Sequence, residues 1–166
     1  MKKPIQDTID FIRQAFAGQI DKGGKPVHEH SERVYRNLIT RWPDASEDEQ
    51  HAALLHDVLE DTHYTVADLQ GMGYSDETIE IVSWVTHLPD PKHQQTYQEY
   101  IQQIANDGPI GAIKVKISDN QDNNSWDRLS YLPPKTIVRL FKKYGRARPV
   151  LEEAFFKRTQ PEAMAA

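Results

Sequence analysis

Apolar residues recur at three- and four-residue intervals along most of the chain, and neither sustained apolar/polar alternation nor an Asn-Gly hairpin signal interrupts them. The pattern predicts an all-α fold. A first helix runs from about Ile5 to Ala17, and the glycine-, lysine- and proline-rich stretch Gly18 to Pro26 marks a loop. Periodicity resumes over His28 to Trp42, where Val34, Leu38, Ile39 and Trp42 share a face until Pro43 ends it. Ser46 with Glu49 reads as a capping box opening the next helix, and Thr65 with Asp68 repeats that signature. Gly71 and Gly73 stop the second of these, Ser75 caps a helix to about His87, and Pro89 and Pro91 break the chain again. Helices follow over Tyr97 to Ala105 and from Pro109 into the polar cluster Asp119 to Asn124. After Pro133-Pro134 comes a last, basic helix that Pro149 is expected to interrupt, with a frayed tail from Thr159 to Ala166. No internal repeat is present, and the 166 residues suggest one domain with its core at about 5–157.

Composition narrows the chemistry. The chain contains no cysteine, so thiolate metal sites, thiol nucleophiles and disulfides are excluded, and any metal must use nitrogen and oxygen ligands. A net charge of -5 offers no general field for a nucleic-acid backbone. Neither a signal-peptide pattern nor an apolar run of membrane-spanning length is seen, and a cytoplasmic location without membrane contact is expected.

The informative segment is Ala52-Ala53-Leu54-Leu55-His56-Asp57-Val58-Leu59-Glu60-Asp61-Thr62, which sets two polar pairs inside an apolar helical run. On one continuous helix, His56 would stack beneath Glu60 and Asp57 beneath Asp61. An imidazole and a neighbouring carboxylate can reach one divalent ion, and the second pair then lies a turn further on, near whatever that ion binds. Two ligands do not hold such an ion firmly. His30, at the start of the helix after the glycine-rich loop, and Asp119, after the run Ile113 to Ser118, are the candidates to complete the set. Asn123 lies four residues beyond Asp119 and on its face, where its carboxamide could bond a water, a ligand or a sugar hydroxyl.

His30, His56-Asp57 and Asp119 together resemble the His…His-Asp…Asp signature of the HD-domain metal-dependent phosphohydrolases. With Glu60-Asp61, Lys116-Ile117-Ser118-Asp119 and Asn123, the segment Gly18 to Tyr144 is similar to the hydrolase domain of alarmone synthetase/hydrolases and their small stand-alone relatives. That resemblance implies an all-α HD-domain helical bundle. It further implies one divalent ion, usually manganese, on His30, His56, Asp57 and Asp119, with Glu60 and Asp61 handling the attacking water and Asn123 contacting the nucleotide. The implied reaction removes pyrophosphate from the 3′ position of guanosine tetraphosphate or pentaphosphate. His28 could replace His30 as ligand, although the spacing Gly-x-Pro-x-x-x-His from Gly24 favours His30. Between the two carboxylates, Glu60 is preferred as the closest partner of the water.

Two imidazoles argue against magnesium, while iron, cobalt, nickel and zinc stand beside manganese as possible ions. Asp21 occupies the place where the alarmone hydrolases generally carry an arginine against the guanine base, so another nucleotide or phosphoester is a rival substrate. Lys22 and Lys25 still offer cations in that loop. A non-catalytic nucleotide sensor is the rival from another class, and a homo-oligomer is possible. Lys143 and Tyr144 are weaker substrate contacts. Lys135, Arg139, Lys142 and Arg146 read as a solvated face, and Tyr97, Tyr100, Trp42, Trp84 and Trp126 as core packing. His51, His63, His87 and His93 are assigned solvated or capping roles.

Overall fold

A computed structural model describes residues 3–87 and 95–160. Among them ten helices follow one another: α1 Ile5–Ala15, α2 His28–Arg41, α3 Glu47–Leu55, α4 Val58–Asp61, α5 Val66–Gly71, α6 Asp76–Val85, α7 Tyr97–Asp107, α8 Ile110–Asn123, α9 Trp126–Leu129 and α10 Pro134–Thr159. Pro89, Pro91, His93 and the tail 161–166 lie outside the described residues. The expected all-α fold is present. The loop between α1 and α2 is pinned by an isolated bridge, Ile20 with Pro26, and turned at Gly24, whose φ of 80° suits a residue without a Cβ.

Several boundaries follow from local chemistry. Capping boxes open α3 (Ser46 with Glu49) and α5 (Thr65 with Asp68), and a third, Thr96 with Glu99, opens α7. Helix α8 packs against α10, α2, α3, α6 and α7, and it is buried on most of its circumference, from Gly111 to Asp122. Gly111 permits that approach: a Cβ there would stand 2.6 Å from Ile81 Cδ1 and 3.2 Å from Glu49 Cγ. Ile113, Val115 and Ile117 of α8 join Val34, Leu38, Leu54, Leu55, Ile101, Ile104 and Leu151 in the core.

Three expectations are corrected. The motif does not lie on one helix: α3 ends at Leu55 and α4 begins at Val58, so His56 and Asp57 occupy the junction. The reason is local, since His56 Nδ1 donates to the Ala53 carbonyl and Asp57 sits in the bridge region at φ −100°, ψ −3°. Pro149 does not interrupt the last helix, which is continuous from Pro134 to Thr159. The residue four positions back is Gly145, and both lie on the exposed side, where water can take up the carbonyl left without its N–H partner. Trp126 is not a core residue: it begins the short α9 with its side chain 71% exposed, whereas Trp42 is buried as expected and Trp84 half-buried.

Candidate metal centre

Four ligand-capable atoms converge where α2, the α3–α4 junction and α8 meet. His30 Nε2 lies 3.2 Å from His56 Nε2, 3.2 Å from Asp119 Oδ1 and 3.6 Å from Asp57 Oδ2. His56 Nε2 lies 3.1 Å from Asp57 Oδ2 and 3.7 Å from Asp119 Oδ1. Adjacent ligands of an ion with bonds of about 2.0–2.2 Å stand roughly 3.0–3.6 Å apart, so these separations are close to those a coordination shell would have. His28 is not in the group; its Nδ1 pairs with Glu32 Oε1 at 3.2 Å.

The hydrogen-bond partners of the other ring nitrogens fix which atoms are left over. His30 Nδ1 donates to Asp122 Oδ2 at 2.7 Å and His56 Nδ1 to the Ala53 carbonyl at 2.9 Å. Both Nε2 atoms of the neutral rings therefore present lone pairs, facing two carboxylate oxygens that are also acceptors. Acceptors brought this close together suit a cation among them. A divalent ion fits this donor set, with His30, His56 and Asp57 clustered and Asp119 beside both imidazoles. The same surroundings favour a proton on His56: burial alone would depress its pKa, but Asp57 and then Asp119 overcome it and raise it to about 9. Burial likewise opposes ionisation of Asp57, yet the two imidazoles hold its carboxyl down at about 2.

A supporting layer was not apparent from the sequence. Asp122, which orients His30, is buried and also accepts from Arg33 Nε at 2.7 Å and from Arg128 Nη1 at 3.2 Å. Hydrogen bonds from His30 and Arg33 outweigh its burial and keep it well below the carboxylate range. A carboxylate behind a ligating histidine sets its tautomer and ring direction. Lys116, 6% exposed, places its ammonium 2.9 Å from Asp119 Oδ2, while Asn123 donates to Asp119 Oδ1. The i, i+4 relation of Asp119 and Asn123 was the visible signal; Asp122 carried none, because its partner lies 92 positions away.

No family model matches the chain. A solved structure, described as a metazoan ortholog of SpoT that hydrolyzes ppGpp and plays a role in starvation responses, matches with a TM-score of 0.70 at 20% identity. The match covers 96% of this chain and 99% of that one. The chain shares that protein's fold. The all-α helical bundle that the resemblance implied is therefore present.

The remaining candidates are dispersed around the centre. Glu60 is exposed and accepts the His87 backbone N–H at 3.0 Å; Asp61 is also largely at the surface, but partial desolvation of its carboxyl, with the charges of Asp57 and Glu60, raises its pKa to about 6. Lys143 extends from α10 so that its ammonium lies 4.0 Å above the Tyr97 ring and 5.2 Å from the Tyr144 ring. Lys22 is exposed, and Lys25 leans over Tyr131 beside a cavity of about 190 Å³ that Arg33 and Arg128 also line. Asp21 lines that cavity too, and its Oδ1 accepts from Gly23 N at 2.8 Å and Lys25 N at 3.0 Å, closing the loop. His63 is exposed and stacks on Tyr64, whereas His87 is half-buried against Tyr100. His51, expected to be solvated or capping, is instead 5% exposed and bonded at both ring nitrogens. Among the described residues no helix is long and apolar enough to cross a membrane.

Proposed function

We propose that the chain is a divalent-metal-dependent phosphohydrolase that removes pyrophosphate from the 3′ position of a guanosine polyphosphate. The observation that carries this reading is the convergence of the His30 and His56 Nε2 atoms on each other and on an oxygen each of Asp57 and Asp119, at 3.1–3.7 Å. The fold shared with a protein described as hydrolyzing ppGpp supports it. His30, His56, Asp57 and Asp119 would hold the ion, manganese being the first choice on the family resemblance, since the ligand types alone do not select it. A bound ion would supply Lewis-acid polarisation of a phosphoryl oxygen and a lowered pKa for water.

The chain's own groups then divide the work. Glu60, anchored by the His87 N–H, orients the attacking water, and Asp61, whose carboxyl titrates near neutrality, is suited to accept its proton. The water oxygen bonds to the scissile phosphorus as the bond from that phosphorus to the 3′ oxygen breaks. Pyrophosphate leaves, and the 3′ oxygen takes a proton to become a hydroxyl. Lys116 and Lys143 offset charge beside the reacting phosphates, and Asn123 and Tyr144 border the same space.

A second reading has its own support. Because position 21 is an aspartate whose Oδ1 is spent on its own loop, no arginine at that position meets the base, which favours a different nucleotide on the same hydrolytic centre. Manganese-supplemented assay of guanosine tetraphosphate beside ordinary nucleotides, with His56→Ala as blank, separates the readings. Pyrophosphate release from the tetraphosphate supports the first, turnover confined to another nucleotide supports the second, and ligand-induced stabilisation without product would leave a sensor. Glu60→Gln and Asp61→Asn should each lower turnover by about 10²- to 10⁴-fold.

A further inference from the structure

Tyr100 is 4% exposed and its hydroxyl has no hydrogen-bond partner among the described residues. An unpaired buried hydroxyl destabilises a fold that phenylalanine would serve better, so its position matters. The Tyr100 ring stacks on His87 with centroids 4.5 Å apart, and the His87 N–H holds Glu60. Lys116 Nζ lies 5.4 Å from the Tyr100 ring centroid and 2.9 Å from Asp119. Tyr100 thus stands between the water-handling carboxylate and a metal ligand.

Its neighbours repeat the imbalance. Tyr97, tilted against Tyr100 at 6.1 Å, donates its hydroxyl to Asn120 Oδ1 at 2.7 Å, leaving the buried Asn120 Nδ2 without an acceptor. The Lys143 ammonium lies over Tyr97, and burial and Lys116 lower its pKa. The Tyr97 ring links the two donors, tilted against Tyr100 on one side and lying under the Lys143 ammonium on the other, where α7 and α10 meet. Burial first, then nearby carboxylates, raise the phenol to about 12, so it stays a donor at neutral pH. A phenol and a carboxamide N–H₂ without acceptors among the described residues, with an ammonium near them, call for a ligand rich in acceptor oxygens.

We propose that Tyr100, Asn120 and Lys143 form a phosphate subsite beside the metal centre, which receives the distal phosphate of the pyrophosphoryl group as it leaves. The inference rests on the phosphohydrolase reading for the word leaving, but the site itself is read by binding alone. The test is calorimetric titration of inorganic pyrophosphate into the manganese-loaded full chain, with Tyr100→Phe and Lys143→Met alongside. Each substitution should weaken pyrophosphate binding about tenfold. Manganese affinity should stay within about twofold of the parent, and the Tm of the ligand-free Tyr100→Phe protein should not fall, as expected when an unpaired hydroxyl is removed. Absence of pyrophosphate binding to the parent chain, or unchanged binding by Tyr100→Phe, would overturn the proposal. Pyrophosphate binding that is lost in Tyr100→Phe while guanosine tetraphosphate goes uncleaved by the parent would support the subsite and remove the hydrolase reading.

Discussion

His51 and His56 lie five residues apart, His51 within α3 and His56 just past its end, and both are almost wholly buried, yet their surroundings are opposite. His51 Nε2 donates to the Lys3 carbonyl at 3.0 Å, and its Nδ1 accepts from Thr8, whose oxygen lies 3.0 Å from the Tyr74 hydroxyl. The ring is complete in its neutral form, and burial lowers its pKa. His56 has one nitrogen satisfied by a backbone carbonyl and the other turned on His30 and two carboxylates, and its pKa rises to about 9. Burial is common to both; what separates a structural histidine from a candidate ligand is the nitrogen left over after local hydrogen bonding.

The contrast breaks most readily at the rings themselves. His56→Ala should weaken manganese binding in a calorimetric titration by more than the roughly 100-fold that loss of an outer-shell partner costs at most. His51→Ala should leave that affinity within about twofold while lowering stability to denaturant by about 1–3 kcal/mol, because Thr8 and the Lys3 carbonyl lose their partner. Loss of metal affinity in His51→Ala with an intact fold would contradict the division of roles. Asp122→Asn tests the other imidazole. It should lower manganese affinity about 10- to 100-fold with all four ligands retained, since the group directing the His30 proton changes.

Titration sharpens the comparison further. A metal ion must displace the proton held at His56, so apparent manganese affinity should rise with pH, up to about 9, by about tenfold per unit for one proton. In metal-free protein the two rings pull stability in opposite directions. The His56 contribution is fully present below its unfolded pKa of about 6.5 and is lost as pH climbs towards 9. His51, with its pKa depressed on folding, loses its contribution as pH falls below about 6.5, because the unfolded chain binds that proton first. Denaturation at several pH values, with each His→Ala variant as reference, separates the two.

Much of this was legible in the sequence because it is local. The capping boxes at Ser46 and Thr65, the apolar face of α2 and the i, i+4 relation of Asp119 to Asn123 depend on residues within one turn. His30, His56-Asp57 and Asp119 were visible as a family pattern. The junction at His56 was not, since it depends on a side-chain bond to Ala53 that competes with the helix ladder. Asp122 and Tyr100 looked ordinary because their meaning comes from outside their own turn: His30 on another helix, and a hydroxyl without a partner among the described residues. Pro149 misled because the rule for proline assumes a crowded preceding turn, and Gly145 with an exposed face relieves it.

The central claim is that four acceptor atoms from α2, the α3–α4 junction and α8 enclose one divalent ion. Anomalous diffraction from crystals of the chain grown with manganese tests it most directly. The account predicts one peak per chain, within about 2.0–2.3 Å of His30 Nε2, His56 Nε2 and an oxygen each of Asp57 and Asp119. A manganese peak elsewhere, or none between these residues at saturating metal, would contradict it.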